Sequence, residues 1–480
     1  MHFQMIKNKQ HSAARLRFLR STLFQIVILS SVLISFIGCS STNPEIELYN
    51  QLVSMADSLQ KEGAIEYYLN GTIHEEAGEM YRAVIQYQLA HIYDPNSVEI
   101  ILSLAKTYLK LGEHRAAAIL LGQGRESNAE NEELLVALLQ SNVYSGQYPQ
   151  AVMLFEELKR LRPLGENELK QFALVLTKLN RFDESLELYN SIIKEFGEQS
   201  WVLDKIAQIY LMRRDVETAK KTFYKILDLE PDNHNVIFLL GSIEMNDKNF
   251  EEAEKLFRSA MNIEPGEIKY WANLMGALDL QKEDAELLEV TSEAVSKFPE
   301  SAFFMEMHGN VLTTLERYEE ASNALRQSIL IDSTRLSPYQ SLGYLYHHQK
   351  DWGKSAEIYN AALKLDPGNP LILNNYAYML SSQNDRLKDA LEMVENALKL
   401  EPDNPTFLDT RGWVFYQLGQ YEKALTDILE ASEGEGENVE IYEHLAHVHE
   451  ALGNLDKAKE IWRKAYVLDP ENEDYKRLAR

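Results

Sequence analysis

The side chains best placed to do chemistry lie close together near the C-terminus, in "HLAHVHE", where His444, His447 and His449 precede Glu450. Imidazoles three or four residues apart share one side of a helix, so His444 and His447 have the spacing of a zinc pair. A His-Glu-x-x-His metalloprotease signature starting at His449 needs a second histidine where Gly453 stands, so that chemistry is excluded. No glycine loop ending in Lys-Ser or Lys-Thr is present to cradle a phosphate. Nucleophilic cysteine catalysis would fall to Cys39, the only cysteine among 480 residues, in "FIGCSST". One thiol also rules out a disulfide within the chain, leaving packing to hold the fold.

The formal charge of -26 argues against nucleic acid, whose binding rests on clustered Lys and Arg releasing counterions. The few basic residues are unevenly spread. Residues 1–38 carry Lys7, Lys9, Arg15, Arg17 and Arg20 and no acid, and the next charge after Arg20 is Glu45. The apolar run "LFQIVILSSVLISFIG" lies between, which reads as an export signal or as an uncleaved anchor. Removing residues 1–38 takes the formal charge from -26 to -31.

Gly38 directly before Cys39, apolar Phe36 and Ile37 before that, and the polar Ser40-Ser41-Thr42 after it resemble a bacterial lipoprotein signal. That resemblance implies cleavage before Cys39, acylation of the cysteine, and export to the bacterial cell envelope. Ser40 after the cysteine, rather than aspartate, implies the periplasmic face of the outer membrane. Two acyl chains already give stable anchoring, at about 0.8 kcal/mol per buried CH₂.

The elements that must position the histidines emerge when the chain is slid along itself. A small residue followed four positions later by a large apolar one recurs in "AVIQY", "AVMLF", "AKKTF" and "AEKLF". The leading positions are Ala83, Ala117, Ala151, Ser185, Ala219, Ala253, Leu287, Ala321, Ser355, Ala390, Ala424 and Ala458, spaced by 34 residues with one step of 35. Twelve residues later prolines recur, as at Pro95, Pro163, Pro231 and Pro265. Twelve residues earlier runs a second small column, including Gly71, Ala105, Gly241, Gly343 and Gly412, interrupted by Leu139 and Met275. Each unit therefore reads as two short helices crossing closely at the small columns, with Tyr87, Phe155, Tyr189, Phe223, Phe257, Tyr359 and Trp462 filling space one turn along. Gly78, Gly112, Gly146, Asn180, Gly419 and Gly453 fall where the first helix should end in a left-handed residue.

These columns resemble the tetratricopeptide repeat family. The resemblance implies an all-α, right-handed α-solenoid of about twelve helix-turn-helix units, covering residues 64–97, 98–131, 132–165, 166–199, 200–233, 234–267, 268–301, 302–335, 336–369, 370–404, 405–438 and 439–472. Residues 39–63 are expected to supply a lipidated spacer and a short capping helix over 45–62, and residues 473–480 a C-terminal cap. Unit 268–301, with Met275, Leu287 and Thr291 in unusual columns, is expected to be locally distorted. The acidic stretch 430–440 is the expected flexible joint.

In such a solenoid the first helices line an inner groove, chiefly through the fifth and ninth positions of each unit. Over the last four units the ninth position holds Tyr344, Tyr378, Trp413 and His447, and the fifth holds Gln340, Asn374, Asp409 and Glu443. An aromatic row beside hydrogen-bonding and acidic groups suits an extended peptide, and equally suits packing between successive helices. His449 falls where Tyr108 and Tyr210 stand, so one packed and two surface histidines are expected rather than a metal site. No unit pairs a lysine at the fifth position with an asparagine at the ninth, the pair by which some family members grip a chaperone's terminal carboxylate. The expected function is a non-enzymatic docking scaffold for other proteins or peptides, anchored by lipid, without cofactor, metal or nucleic acid. A carbohydrate-binding or enzyme-associated role in polysaccharide export or cell-wall synthesis is the alternative.

Overall fold

The computed structural model describes residues 44–435 and 437–479, and among them the secondary structure is α-helical throughout. Cys39 and the basic, apolar leader lie outside the described residues. The chain divides after Pro231 into two units. The first contains α1 (Pro44–Glu76), α2 (Met80–Tyr93), α3 (Val98–Lys110), α4 (His114–Ser127), α5 (Glu132–Tyr144), α6 (Tyr148–Leu161), α7 (Glu166–Lys178), α8 (Phe182–Phe196), α9 (Ser200–Met212) and α10 (Val216–Leu229). The second contains α11 (His234–Asn246), α12 (Phe250–Ile263), α13 (Ile268–Gln281), α14 (Asp284–Lys297), α15 (Ala302–Thr314), α16 (Tyr318–Ile331), α17 (Ser337–His348), α18 (Trp352–Leu365), α19 (Pro370–Ser382) and α20 (Leu387–Leu400). It continues through α21 (Pro405–Gln417), α22 (Tyr421–Glu435), α23 (Val439–Ala451), α24 (Leu455–Leu468) and α25 (Glu473–Leu478).

Within each unit the helices stack in sequential pairs, and the two small columns explain how. All twelve residues of the column from Ala83 to Ala458 are buried, and the glycines opposite sit against the following large side chain. A Cβ on Gly343 would meet the Tyr359 ring at 2.5 Å, and one on Gly71 would meet Tyr87 at 2.6 Å. Where serine replaces alanine, its hydroxyl is satisfied by the partner helix. Ser185 donates to the Ala173 carbonyl at 2.8 Å and Ser355 to that of Gly343 at 2.9 Å.

The turn inside each pair is equally regular. A residue with positive φ follows every first helix, at Gly78, Gly112, Gly146, Asn180, Arg214, Lys248, Lys282, Glu316, Lys350, Asn384, Gly419 and Gly453. Six of these were visible in the sequence by residue type. Arg214, Lys248, Lys282, Glu316, Lys350 and Asn384 adopt the same left-handed conformation without the glycine that makes it easy.

One local expectation is corrected. Residues 45–62 do not form a separate short cap but run into the first unit as the 33-residue α1, because Gly63 costs a helix only about 1 kcal/mol and no proline follows to break it. Unit 268–301 departs from the others as its columns imply: its two helices, α13 and α14, approach each other less closely than any other pair. Met275 and Thr291 are both fully buried, a large residue in the small column facing a small one in the large column, and the Thr291 hydroxyl lies 3.0 Å from Nδ1 of His308. Residues 430–435 continue α22, and α23 begins at Val439, with residue 436 outside the described residues.

Candidate functional site

The eight candidate groove residues sit in pairs on four successive first helices of the second unit. Gln340 and Tyr344 lie on α17, Asn374 and Tyr378 on α19, Asp409 and Trp413 on α21, Glu443 and His447 on α23. Side-chain caps start three of these helices. Asn369, Asn404 and Asn438 accept from the backbone N–H of Ile372, Phe407 and Ile441 at 3.2, 3.3 and 3.4 Å. Direct contact of α15 with α17, α17 with α19, α19 with α21 and α21 with α23 makes these first helices one continuous face.

That face divides into two parts. In the C-terminal part the polar and aromatic groups answer one another. His444, one residue past Glu443, places Nδ1 2.9 Å from an Asp409 oxygen and stacks on Trp413 with ring centroids 4.1 Å apart and planes 17° apart. Trp413 stacks also on Tyr416 at 4.7 Å. The Tyr378 hydroxyl donates to Glu440, and its ring meets His347 edge-on at 5.5 Å. Tyr475 donates to Glu443 at 2.6 Å, Trp462 donates to Glu450 at 2.9 Å, and His447 lies edge-on to Trp462 at 5.0 Å.

Two sequence expectations fail here. Asn374 and Asp409 are expected to face a ligand, yet they are 2% and 7% exposed, Asp409 being turned onto His444 of the next first helix. The histidines are two buried and one half-buried, not one packed and two at the surface: His444 and His449 are buried, and His447 is the partly exposed one. The residue that the columns missed is His444, at the sixth position of its unit, one place past the fifth-position column and 35 residues from Asp409.

Burial pushes the His444 imidazole down, but the Asp409 charge and hydrogen bond, with Glu440 and Glu443 behind them, outweigh it and hold the ring above its ordinary 6.5. Burial and the Glu440 charge push the Tyr378 hydroxyl far up. His347 goes the other way, lowered by burial and by His348. No group of three or more His, Cys, Asp or Glu side chains able to hold a metal occurs among the described residues.

The N-terminal part of the face is different in kind. A cavity of about 400 Å³ opens between α15, α17 and α19, lined by Asn310, Thr313, Thr314, Ser337, Gln340, Ser341, Tyr344 and Asn375. None of these is charged in a chain that is 25% charged. The side chains of Asn310, Ser337, Gln340 and Ser341 have no hydrogen-bond partner among the described residues, and the Tyr344 ring is 53% exposed. Gln340 and Tyr344 are thus the candidates left open to a ligand. The arrangement offers amide and hydroxyl donors and acceptors beside one flat ring.

Family models described as tetratricopeptide repeat match residues 210–278 and, separately, residues 306–370, 382–438 and 410–473. Among curated proteins, a repeat-containing protein of Methanocaldococcus jannaschii is 22% identical over 422 residues, covering 82% of this chain and 72% of that one. The BBSome complex member BBS4 of Bos taurus is 21% identical over 333 residues, covering 68% of this chain and 63% of its own length. Among solved structures, a tetratricopeptide repeat protein of Parabacteroides merdae superposes with a TM-score of 0.44 at 17% identity, covering 51% of this chain and 97% of that chain. The Naa15/Naa10 complex bound to HypK-THB gives 0.45 at 18%, covering 92% and 67%.

Proposed function

We propose that this chain of tetratricopeptide repeats is a non-catalytic docking protein of the bacterial envelope, tethered by lipid on Cys39, that holds an extended segment of a partner protein against the first helices of its second unit. The observation that carries the docking site is the cavity between α15, α17 and α19, with four unpartnered amide and hydroxyl side chains beside the exposed Tyr344 ring. An extended peptide presents unpaired backbone N–H and C=O groups, which neutral amides satisfy without charge, while a flat ring takes an apolar side chain. A relative whose name makes it a member of a multi-protein complex supports the same class of duty.

The tether rests on the residues around Cys39, and the periplasmic face of the outer membrane on Ser40 after it. No helix among the described residues is long and apolar enough to cross a membrane. The neutral lining and exposed ring also favour a second reading, an uncharged polysaccharide held by stacking and hydroxyl contacts. The test compares tagged full-length chain with an Asn310→Leu/Gln340→Leu double variant after solubilising the envelope. A protein retained by the first and lost by the second supports docking; retention on polysaccharide alone assigns the cavity to sugar, and equal retention removes the site.

A further inference from the structure

Helix α2 differs from every comparable second helix in what it shows to water. At about 100° per residue, Tyr81, Ile85, Gln88 and Ile92 fall within about 60° of one another, and the buried Ala83, Tyr87 and Ala90 lie opposite. Tyr81, Ile85 and Ile92 are 77%, 54% and 70% exposed. The equivalent positions of α8 are Asp183, Glu187, Asn190 and Lys194, and those of α12 are Glu251, Lys255, Arg258 and Asn262. Between these extremes the apolar character fades along the chain. Arg115, Ile119, Gly122 and Glu126 occupy the positions in α4, then Pro149, Met153, Glu156 and Arg160 in α6, with Ile119 and Met153 both exposed.

Charge follows the same direction. Helix α2, "MYRAVIQYQLAHIY", contains no acid, and Arg82 is its one formal charge, in a chain with 74 acidic residues. The face therefore avoids the repulsion from anionic headgroups that the rest of the surface invites. An apolar stripe carrying an aromatic, on a helix free of acids, is the pattern of a helix lying in a lipid interface. Sequence proximity supplies the occupant. Four residues separate Cys39 from Pro44, a reach of at most about 17 Å in extended chain, and α1 then runs about 30 Å from Pro44 to Ala64, where its packing against α2 begins.

We infer that the outward face of α2, with Tyr81, Ile85 and Ile92 at its centre and Ile119 beside it on α4, rests on the bilayer to which the chain is tethered. The inference depends on the lipid tether for its proximity and not on the docking cavity. A face held this way fixes the first unit flat on the lipid, rather than free on its spacer.

The test uses acylated full-length chain in vesicles of phosphatidylethanolamine and phosphatidylglycerol. With Cys39 blocked by lipid, Ile85→Cys gives one thiol for a polarity-sensitive fluorophore, and Lys255→Cys gives the matching position on α12. The expected result is a blue shift and loss of emission to nitroxide-bearing lipid at position 85, neither at position 255, and both abolished by adding Tyr81→Glu and Ile92→Glu. If the chain floats with the vesicles while the two labels behave alike, the lipid face is overturned and the tether stands. A chain that does not float overturns the tether, and the face with it. A blue shift at position 85 that needs no lipid and grows with protein concentration assigns the face to a second copy instead.

Discussion

His444 and Asp409 meet across two successive first helices, Nδ1 lying 2.9 and 3.0 Å from the two carboxylate oxygens, with both side chains more than nine-tenths out of water. The Trp413 ring lies flat against the same imidazole. The pair thus joins the last two units through charge as well as packing, which gives the junction a pH dependence.

Because His444 is held above its ordinary value by Asp409, Glu440 and Glu443, its contribution is complete below about pH 6.5 and declines as the pH rises through the native value. Asp409→Asn keeps the shape and removes the charge. The expected gap between native and variant is about 1.5–3 kcal/mol at low pH. It narrows as the pH rises through the native value of His444. Hydrogen exchange in α21 and α23 reads it locally, and His444 in the variant should titrate lower than in the native chain, since burial then opposes only Glu440 and Glu443.

Gly343 lies where a Cβ would overlap the Tyr359 ring, itself fully buried. Gly343→Val should destabilise the α17–α18 pair by about 1–3 kcal/mol through overpacking. Since a solenoid need not melt as one unit, exchange protection confined to this pair and its neighbours is the measurement. Unchanged protection there would show that the helices separate more easily than their packing implies.

Lys248 and Lys350 hold φ of 62° and 61° at the left-handed turn. A left-handed L-residue costs about 1–2 kcal/mol, offset in part by the unfolded-state freedom of the glycine replacing it. Lys248→Gly and Lys350→Gly should each raise local stability by about 0.5–1 kcal/mol, seen as a higher urea midpoint for the second unit.

The repeats were legible because close helix crossing demands small side chains at fixed places, and Ala83 to Ala458 record that demand in residue type. The left-handed turn was only half legible. Its geometry is imposed by the pair of helices, so lysine, arginine and glutamate tolerate it at Arg214, Lys282 and Glu316, and only the spacing of 34 residues marks them. Met275 was legible as a departure because a bulky residue in the small column keeps two helices apart, and α13 and α14 do approach less closely than the other pairs. The aromatic row at Tyr378 and Trp413 was visible, but not that His347 and His444 would engage it, since those contacts cross units. The cavity beside Tyr344 depends on Asn310, Ser341 and Asn375, whose residue types alone carry no signal of a site.

Acylation of Cys39 is checked by growth with a radiolabelled fatty acid. Label should appear in the native chain and vanish in Cys39→Ala, which should also leave the membrane fraction. Equal incorporation in both excludes the tether.

Docking on the inner face of the second unit is tested most directly by photo-crosslinking in intact cells. A photoreactive residue is placed at Tyr344, beside the cavity, and at Glu357, exposed on α18. The expected result is one discrete polypeptide adduct from position 344, none from position 357, and loss of the adduct when Asn310 and Gln340 are both leucine. Equal adducts from both positions, or an adduct at 344 indifferent to Asn310 and Gln340, would contradict it.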